Sequence, residues 1–452
     1  MTSNNPRIII IGAGPTGLGA AYYLRKIRYN NWFIYEKDNH AGGLSSSIID
    51  NNGFTWDHGG HVIFSHYKFF DEIIEFSCKK NILSHNRYAF AYMFDRLVPY
   101  PVQNNIRYLP DDVILDCLFG LIDRKYETKP ENFKQWIDSV FGKGLAEYFM
   151  LPYNRKVWST NPEEMGFGWI GERVSVIDIK HVLKNIILKQ DDNGWGPNSK
   201  FVFPEKGGTQ AIFSQIASLV KDNISFKSEL YKIDIKNRKV FFKSGKSDKY
   251  DYLISSVPVD EFVNYLDGNN NMDTIKETAG NLVYNKVMVT GIGIKRKNKP
   301  DRSWIYFPEQ KFPWYRVTYF SNYSPYNVPS DEYFSLMGEI SYPAHSQPDG
   351  ETDIMKSIES FEKCAFILNN DISRIESFYS KLIPKAYPVP TLERDKILNE
   401  VQSFLMSNNI LSRGRFGGWK YEVANMDHSV MQGKEAVDYI LFNKSEETYK
   451  LT

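Results

Sequence analysis

Residues 7–17 read RIIIIGAGPTG, an apolar run that passes directly into a glycine-rich turn. The four isoleucines are typical of a buried parallel strand. Gly12 suits the turn, and Gly14 lets a pyrophosphate approach the backbone. We predict that Gly17 allows a helix over 18–26 to pack on this strand. The N-terminus of that helix would face the phosphates, since its free N–H groups and its dipole favour anions.

A carboxylate follows the next apolar run. That run covers 32–35, and Glu36 comes directly after it. Glu36 can accept hydrogen bonds from both ribose hydroxyls of an adenosine moiety, and it disfavours a 2′-phosphate. Strand, turn, helix, strand and acid therefore occur in the order that a dinucleotide site requires. The alternative is an ordinary turn between a strand and a helix.

Two further glycine pairs favour FAD over NAD. Residues 42–45 read GGLS, and residues 57–61 read DHGGH. Bare backbone can lie along a pyrophosphate and a flavin, whereas a simple nicotinamide domain has no need of such pairs. His61 stands close to where the flavin would end. The alternative for His61 is an ordinary polar residue with satisfied hydrogen bonds.

The composition is that of an ordinary globular protein. With 452 residues the chain is too long for one small core, so we expect two or three domains. The net charge of +1 argues against nucleic acid as a partner and against a charged membrane surface. The sequence has no apolar run of membrane-spanning length and does not start like a signal peptide. We therefore expect no membrane insertion and a cytoplasmic location.

The sequence predicts neither a metal site nor a disulfide. Cys78, Cys117 and Cys364 are widely separated and are expected to be buried or partly buried thiols. His58 and His428 lack the spacing of metal ligands. The pattern of a Ser-His-Asp triad is also missing from the sequence, so the chemistry would rest with the cofactor.

The order of helix and strand patterns predicts an α/β fold. It would consist of a discontinuous, Rossmann-like FAD-binding domain, an inserted helical domain and a β-rich antiparallel-sheet domain. The FAD-binding domain would combine 1–80, 196–265 and 395–452, the helical lid domain would cover 81–195, and the β-sheet domain 266–394. The stretch 83–190 is expected to be mostly helical. Helices are predicted over 111–121, 133–140, 144–150, 179–188, 353–368, 394–406 and 433–442. Strands are predicted over 200–203, 224–235, 239–243, 252–258, 287–294, 304–307, 314–320 and 333–340.

Arginines from distant parts of the chain lie in sequence beside tyrosines. They are Arg173, Arg316, Arg413 and Arg415. Forked guanidinium bonds and phenolic donors together suit a diphosphate. Two alternatives stay open: an ion pair between Arg173 and its neighbour Glu172, and an RNA-binding segment around Arg413.

Eight stretches resemble the UDP-galactopyranose mutase family, its eukaryotic-type branch in particular. They are 57–66, 100–105, 152–158, 171–174, 193–198, 315–327, 387–394 and 412–438, in the family's order over nearly the whole chain. The resemblance implies an enzyme that uses reduced FAD without net redox turnover. Flavin N5 would attack the anomeric carbon of a UDP-pyranose and expel UDP, and the sugar would reclose as a furanose. NADPH or NADH would be the external reductant.

The resemblance also implies roles for individual residues. The catalytic residues would be His61, Arg173 and Arg316, with the His61 backbone accepting a hydrogen bond from flavin N5–H. The FAD-binding residues would be Gly12, Gly14, Thr16, Gly17, Glu36, Gly43, Ser45, Gly60, His61, Gly418, Asn425, Met426 and Ser429. The substrate-binding residues would be Tyr100, Gln103, Asn154, Trp158, Arg173, Asn198, Tyr306, Arg316, Tyr323, Tyr387, Arg415 and Tyr421. Loops over 171–178 and 193–198 would close on the substrate.

Some residues depart from the family's pattern, and they concern the sugar more than the reaction. Val102 stands where close relatives carry Phe, and Met426 where they carry Gln; Leu151 and Arg155 also differ from expectation. UDP-galactopyranose is the leading substrate, and a UDP-linked pentose, 6-deoxy sugar or N-acetylhexosamine is the alternative. A flavin oxidase of the amine-oxidase type and an FAD-stabilised interaction module are the rival functions. A homo-oligomer is compatible with the sequence.

Overall fold

The computed structural model of the protein describes residues 5–124, 129–171, 174, 177–192, 194, 196, 199–268, 272–297 and 299–451. No helix within these ranges is long and apolar enough to cross a membrane. All three cysteines are buried and unbonded to one another, which confirms the prediction.

A five-stranded parallel sheet forms the centre of the dinucleotide fold. From edge to edge its strands are Ile410–Ser412, Tyr252–Ser255, Ile8–Ile11, Trp32–Tyr35 and Ile224–Ser225. Each isoleucine of the central strand is at most 3% exposed. Ile8 and Ile10 pack into the core on one face, and Ile9 and Ile11 into the core on the other. Burial on both faces explains why this strand is a continuous apolar run.

Helices cover one face of the parallel sheet, and a second sheet with further helices covers the other. The first layer consists of Pro15–Lys26, Lys68–Cys78, Gln210–Leu219 and Met426–Phe442. The second contains the strands Ser247–Lys249, Lys239–Phe242, Leu230–Asp234 and Leu266–Asp267 and the helices Val259–Phe262, Met272–Gly280 and Arg394–Ser407. The single strand predicted over 224–235 is therefore two strands, each in a different sheet.

The first and last long helices lie unusually close together. A Cβ atom on Gly433 would lie 2.0 Å from the carbonyl oxygen of Thr16, and one on Gly19 would lie 2.5 Å from that of Val430. Only glycine fits at such backbone contacts. The last helix begins at Met426, seven residues before the predicted start, so its N-terminal turn reaches the region of the glycine-rich turn.

The helical segment shares one core with the seven-stranded sheet. Its helices are Asp111–Asp123, Phe133–Leu145, Ala146–Met150, Leu151–Trp158 and Ile179–Ile187. Four of these confirm the predicted helices. Leu151–Trp158 was not predicted as a helix, and Pro152 is its second residue. Proline is tolerated in the first turn of a helix, where its missing N–H would have had no partner within the helix.

A seven-stranded mixed sheet forms the third part. In order its strands are Ile375–Pro388, Tyr284–Lys295, Tyr333–Pro343, Arg316–Thr318, Trp304–Tyr306, Ala89–Met93 and Arg96–Pro99. All neighbours are antiparallel except Trp304–Tyr306 and Ala89–Met93. Helices Gly350–Lys363 and Asn369–Ile372 complete this part. Two short antiparallel pairs, Ser47–Ile49 with Thr55–Asp57 and Ile82–Asn86 with Lys200–Pro204, connect the parts.

The start of the predicted helical segment is wrong. Three strands, Ile82–Asn86, Ala89–Met93 and Arg96–Pro99, occupy residues that the sequence analysis placed at the start of that segment. The hairpin between the last two turns at Phe94 and Asp95, both in the left-handed region with φ of 51° and 55°. Such turns usually contain Asn or Gly, and this one contains neither, so the sequence carries no hairpin signal.

We predict that Gly433→Ala destabilises the protein by about 1–3 kcal/mol, because the new methyl group overlaps a backbone oxygen that cannot move freely. Gly280→Ala is the matched control: it also adds one methyl group, but no atom lies within 4 Å of the new Cβ. Thermal unfolding of both variants tests this. Equal midpoints would contradict the close packing of the first and last helices.

Candidate active site

A cleft of about 1120 Å³ opens where the parallel sheet, the helical segment and the seven-stranded sheet meet. The carboxyl ends of three parallel strands contribute to its wall: Ile11 and Gly12 after the first, Tyr35 and Glu36 after the second, and Ser256 after the third. Ligands of open α/β sheets bind at this edge. The cleft is therefore the candidate active site.

Glycines shape the end of the cleft that contains Gly12, Gly14 and Glu36, which we name the cofactor end after the sequence prediction. Gly12 has a φ of +101°, and a Cβ atom there would lie 2.3 Å from Oγ of Ser256. Gly14 precedes helix Pro15–Lys26, which has no side-chain cap, so N–H groups of its first turn remain for an anion. A Cβ atom on Gly43 would lie 3.3 Å from Cα of Gly14. The two glycine motifs thus lie side by side and leave backbone open to a ligand.

Glu36 lies beside these glycines and is 6% exposed. Its carboxylate accepts hydrogen bonds from the backbone N–H groups of Ala13, at 2.6 Å, and Asp38, at 2.9 Å. These two bonds fix the side chain. A carboxylate has further lone pairs, so it can still accept hydrogen bonds from two ribose hydroxyls.

Asp57 is buried beside the Ser45 segment of the cofactor end. It is fully buried, and its carboxyl oxygens lie 2.5 Å from Oγ of Ser47 and 3.1 Å from Oγ1 of Thr209. Thr209 also donates a hydrogen bond to the carbonyl oxygen of Ser45, at 3.0 Å. These hydrogen bonds connect Asp57 to the segment that follows Gly43. Burial raises the pKa of Asp57 to about 7, although the hydroxyls of Ser47 and Thr209 lower it.

The second glycine pair meets the seven-stranded sheet. A Cβ atom on Gly60 would lie 2.4 Å from Oγ1 of Thr318, and one on Gly59 would lie 3.0 Å from Oε1 of Glu339. The next residue, His61, lines the cleft, and none of the described residues donates a hydrogen bond to its carbonyl oxygen. Burial lowers the pKa of the His61 ring to about 3, and nearby Arg316 lowers it further. The His61 ring is therefore neutral at ordinary pH.

Arg316 is held by a buried ion pair. Its strand neighbour in register is Glu339, whose side chain is 5% exposed. The Nε and Nη2 atoms of Arg316 donate to the two carboxylate oxygens, the second at 2.8 Å. The hydroxyl of Tyr315 also donates to Glu339, at 3.0 Å. Burial acts to lower the pKa of Arg316, but the facing carboxylate raises it well above its usual value. The bonds to Glu339 leave Nη1 available to a ligand in the cleft.

Aromatic rings line the rest of the cleft. The ring of Tyr306 lies 4.9 Å from that of Tyr100 and 5.3 Å from that of Tyr153. Trp158 meets Tyr421 edge-on at 4.8 Å. Together these rings offer flat faces, on which a nucleobase can stack, beside phenolic hydroxyls.

Most of the predicted site residues line this cleft. Those that line it are Gly12, Gly14, Thr16, Glu36, Gly43, Ser45, Gly60, His61, Asn425, Met426, Ser429, Tyr100, Gln103, Asn154, Trp158, Tyr306, Arg316, Tyr387, Arg415 and Tyr421. Arg173 and Asn198 lie outside the described residues, as do parts of the two predicted closing loops. Gly17 packs as expected: a Cβ atom there would lie 2.0 Å from the carbonyl oxygen of Gly12.

Besides Gly17, two predicted site residues are not in the cleft wall. A Cβ atom on Gly418 would lie 2.8 Å from the ring of Tyr449, so this glycine permits packing below the surface. Tyr323 is 1% exposed and packs between aromatic rings, with that of Phe201 at 5.2 Å. Neither residue lines the surface that a ligand would contact.

Two arginines have partners within the protein. Arg413 is 1% exposed and forms an ion pair with Glu446, at 2.5 Å, so it does not belong to a diphosphate site. Arg415 lines the cleft, but its Nε and Nη2 atoms donate to the carbonyl oxygen of Ala386, at 2.9 and 2.7 Å. Arg415 thus holds the end of the strand that carries Tyr387, and its guanidinium stacks on that ring at 4.9 Å.

Several residues of the cleft were not foreseen. Glu339 and Arg87 carry no local sequence signal, and Lys381 lies on the strand Ile375–Pro388, which was not predicted. Asp427 lies at the start of the last helix and bonds Nδ1 of His66 at 2.7 Å and Nδ1 of His428 at 3.0 Å. This cluster ties the segment after the second glycine pair to that helix, a contact between residues 361 positions apart.

Comparisons with known proteins agree with this geometry. Residues 10–73 match the family model of an NAD(P)-binding Rossmann-like domain. The whole chain is similar to the crystal structure of a reduced UDP-galactopyranose mutase, with 41% sequence identity and a TM-score of 0.94. That match covers 98% of this chain and 96% of the other.

More distant structures share the fold. A putative protoporphyrinogen oxidase from Exiguobacterium sp. 255-15 matches at 15% identity with a TM-score of 0.73, over 98% of this chain and 100% of that chain. Cyclohexylamine oxidase from Brevibacterium oxydans IH-35A matches at 13% identity with a TM-score of 0.67, over 97% and 99%. At such low identity these likenesses concern the fold alone.

We predict that Asp57 makes the protein less stable as the pH rises from about 4 towards 7. An unfolded Asp titrates near pH 3.9, and the folded pKa is higher, so the folded state binds the extra proton in this window. The contribution of this one group is a loss of about 1.4 kcal/mol per pH unit. His58 and His61 have lowered pKa values and therefore make the protein more stable as the pH rises. To isolate Asp57, the free energy of unfolding in urea is measured for the wild type and for Asp57→Asn, and the difference between the two is followed with pH. A difference that is constant between pH 4.5 and 7 would show that Asp57 is ionised throughout.

Proposed function

The chain belongs to the UDP-galactopyranose mutase family, and on that premise we propose that it interconverts UDP-galactopyranose and UDP-galactofuranose with the help of reduced FAD. One observation of this structure supports the proposed reaction independently of family membership. Glu339 holds Arg316 beside the Gly59–Gly60 segment, and this closeness supports a site in which a guanidinium binds the diphosphate next to the end of the flavin.

The residues of the cofactor end fit FAD. Gly14 and Gly43 leave backbone open along a pyrophosphate, Glu36 retains acceptor capacity for ribose, and the carbonyl oxygen of His61 is available to a donor. Asn425, Met426 and Ser429 lie at the start of the last helix and would flank the ring system. Bound and reduced, FAD would supply the nucleophilic nitrogen that displaces UDP from the anomeric carbon.

The protein would hold the leaving diphosphate by charge and by neutral donors. Arg316 would bind it through Nη1, with Arg173 as a second guanidinium. The Tyr387 hydroxyl lies 3.1 Å from that of Tyr315, and burial raises the pKa of Tyr387 to about 12 although Arg316 lowers it. Tyr387 therefore stays a neutral donor, and the hydroxyl of Tyr421 would be a second donor. A UDP that is kept in place can be recaptured by the sugar without diffusing away, which is a proximity effect.

The uridine would bind in the aromatic part of the cleft. Tyr100 and Tyr306 form its walls, and Gln103 offers an amide to the base. Nδ2 of Asn154 donates to the carbonyl oxygen of Met150, at 2.8 Å, and its Oδ1 faces Nε1 of Trp158, at 3.3 Å. These bonds fix the amide of Asn154 before a nucleotide arrives, which limits the entropy lost on binding.

Finer points of the proposal come from the sequence. Val102 and Met426 leave a related UDP-pyranose as an alternative substrate. The eukaryotic-type branch, NADPH or NADH as reductant and a cytoplasmic location stay predictions. An oxidase of the amine-oxidase type, the rival reaction class, would turn over with oxygen and would need no nucleotide sugar.

We predict that Arg316→Lys retains FAD but loses most turnover. The lysine keeps a positive charge opposite Glu339, so no buried carboxylate is left unpaired, whereas Arg316→Ala would leave one. An ammonium cannot reproduce the guanidinium fork. We expect kcat/KM to fall on the order of 100-fold. Bound flavin is measured by absorbance in the same samples. Activity that recovers on adding FAD would instead assign Arg316 to the cofactor.

The decisive test compares reduced and oxidised protein with UDP-galactofuranose. We expect the dithionite-reduced protein to form UDP-galactopyranose, detected by chromatography, and the oxidised protein to form none. The same pair of samples is then given UDP-arabinofuranose as the alternative sugar. Conversion of neither sugar by protein with bound FAD would refute the proposed substrates, and oxygen consumption with an amine would establish the rival.

A further inference from the structure

Two histidines share one buried carboxylate at the start of the last helix. Asp427 is the second residue of helix Met426–Phe442, and its side chain is 1% exposed. Its Oδ2 atom lies 2.7 Å from Nδ1 of His66, and its Oδ1 atom lies 3.0 Å from Nδ1 of His428. We call these three residues the histidine–aspartate cluster. Spacing in the sequence could not reveal it, because His66 and Asp427 are 361 positions apart.

The carboxylate of the cluster carries a charge. Burial acts to raise the pKa of Asp427, but hydrogen bonds from His428 and His66 lower it below its usual value. Within the described part of the chain, Asp427 forms ion pairs with these two imidazoles and with no lysine or arginine. An imidazole is positive only when it is protonated, whereas a buried carboxylate is normally paired with a cation or bound to a metal. The charge of Asp427 therefore calls for a cation.

The cluster offers the ligands of a transition-metal site. Its three ligand atoms all lie within 4.8 Å of one another, and no other three such side chains among the described residues bring their ligand atoms this close. Two imidazole nitrogens and one carboxylate oxygen suit zinc. With bonds of about 2.0–2.1 Å, the ligand atoms of a tetrahedral zinc ion are about 3.3 Å apart. The His66 side chain is 31% exposed, so its ring can adjust to this geometry and water can reach the fourth position.

The surroundings of the cluster support its side chains. The backbone N–H of His66 lies 3.2 Å from Oδ2 of Asp427 and orients the carboxylate. The ring of Phe64 lies 5.4 Å from that of His66, and the ring of Tyr67 meets that of His428 edge-on at 5.5 Å. Hydrogen bonds to the ligands and an apolar shell around them both favour metal binding, since they fix the ligands in place.

We propose that the histidine–aspartate cluster binds one zinc ion through Nδ1 of His66, Nδ1 of His428 and the carboxylate of Asp427. Each ring would then carry its proton on Nε2, because a coordinating nitrogen must be deprotonated. The ion supplies the positive charge that Asp427 calls for. A water molecule completes the tetrahedron.

The zinc ion acts as a structural clamp beside the cofactor end. It joins the segment that follows Gly59 and Gly60 to the start of the last helix. Both of these elements contribute to the cleft wall, the first through His61 and the second through Met426 and Ser429. The ion therefore stabilises the contact between two walls of the cleft and takes no part in the reaction.

Zinc uptake is measured by equilibrium dialysis of the purified, tag-free protein, followed by metal analysis. We expect one ion per chain for the wild type and at least ~10-fold weaker binding for His66→Ala, which loses one ligand. His181→Ala is the matched control. The His181 ring is also partly exposed and bonds one aspartate, Asp192, at 2.9 Å, but it belongs to no group of three ligands among the described residues. A wild type that takes up no zinc, or a His66→Ala variant that binds zinc as tightly as the wild type, overturns the proposal.

Cobalt(II) in place of zinc tests the ligand geometry. A tetrahedral site gives intense visible bands at longer wavelengths than those of an oxidised flavin, and an octahedral ion absorbs weakly. We expect intense bands for the wild type and for His181→Ala, and their loss in His428→Gln. If His428→Gln does not fold, His66→Ala, which alters the partly exposed ligand, replaces it. Bands that persist in the variant place the metal elsewhere on the chain and overturn the proposal.

Thermal unfolding tests the clamp. A ligand that binds only the folded state raises the midpoint, so zinc should raise that of the wild type and of His181→Ala but not that of His66→Ala. Equal midpoints of the wild type with and without zinc would refute the clamp. Metal uptake, cobalt bands and midpoints are read without any sugar, so their failure and a failure of the mutase assignment are distinguishable.

Discussion

The buried ion pair between Arg316 and Glu339 is the constraint around which the cleft is arranged. Removing a carboxylate and a guanidinium from water costs several kcal/mol per ion, and only close pairing with further hydrogen bonds offsets this. Glu339 accepts bonds from Arg316 and Tyr315, and the antiparallel register places the pair opposite each other. These hydrogen bonds offset the free-energy cost of burying the two charges. Arg316 is thereby held in position with its Nη1 atom outside the pair, so a diphosphate bound as proposed would require no reorganisation of this side chain.

The ion pair between Arg316 and Glu339 also explains why residues 59 and 60 are both glycine. Gly60 passes so close to Thr318 that a side chain there would collide with the sheet, and a Cβ atom on Gly59 would lie in tight contact with Glu339. The segment therefore brings the backbone of His61 close to Arg316. The cofactor end of the cleft and the anion-binding end are then neighbours in space, although Gly60 and Arg316 are far apart in the chain.

Local patterns made the dinucleotide fold predictable, whereas residues of the site that depend on contacts between distant parts of the chain carry no sequence signal. The isoleucine strand, Gly12, Gly14 and Glu36 form one contiguous unit, so their spacing alone identified them. Glu339 has no such signal, because its role depends on a neighbouring strand. The hairpin at Phe94 and Asp95 was missed, since it adopts left-handed backbone without Asn or Gly. The resemblance implied Gly418 as a residue beside FAD, and the structure packs it against the ring of Tyr449, a contact that the sequence does not signal.

The charge state of the cleft follows from burial. Burial raises the pKa of Tyr387 to about 12 and lowers that of His61 to about 3, so both groups are neutral at ordinary pH. Since Glu339 balances the charge of Arg316, the pair itself adds little net charge to the cleft. An arriving diphosphate would supply the negative charge, and neutral phenols can bind it without a counter-charge of their own. If the cleft binds UDP as proposed, Arg316 and the neutral Tyr387 hydroxyl would hold it beside the sugar without ionisation of either Tyr387 or His61.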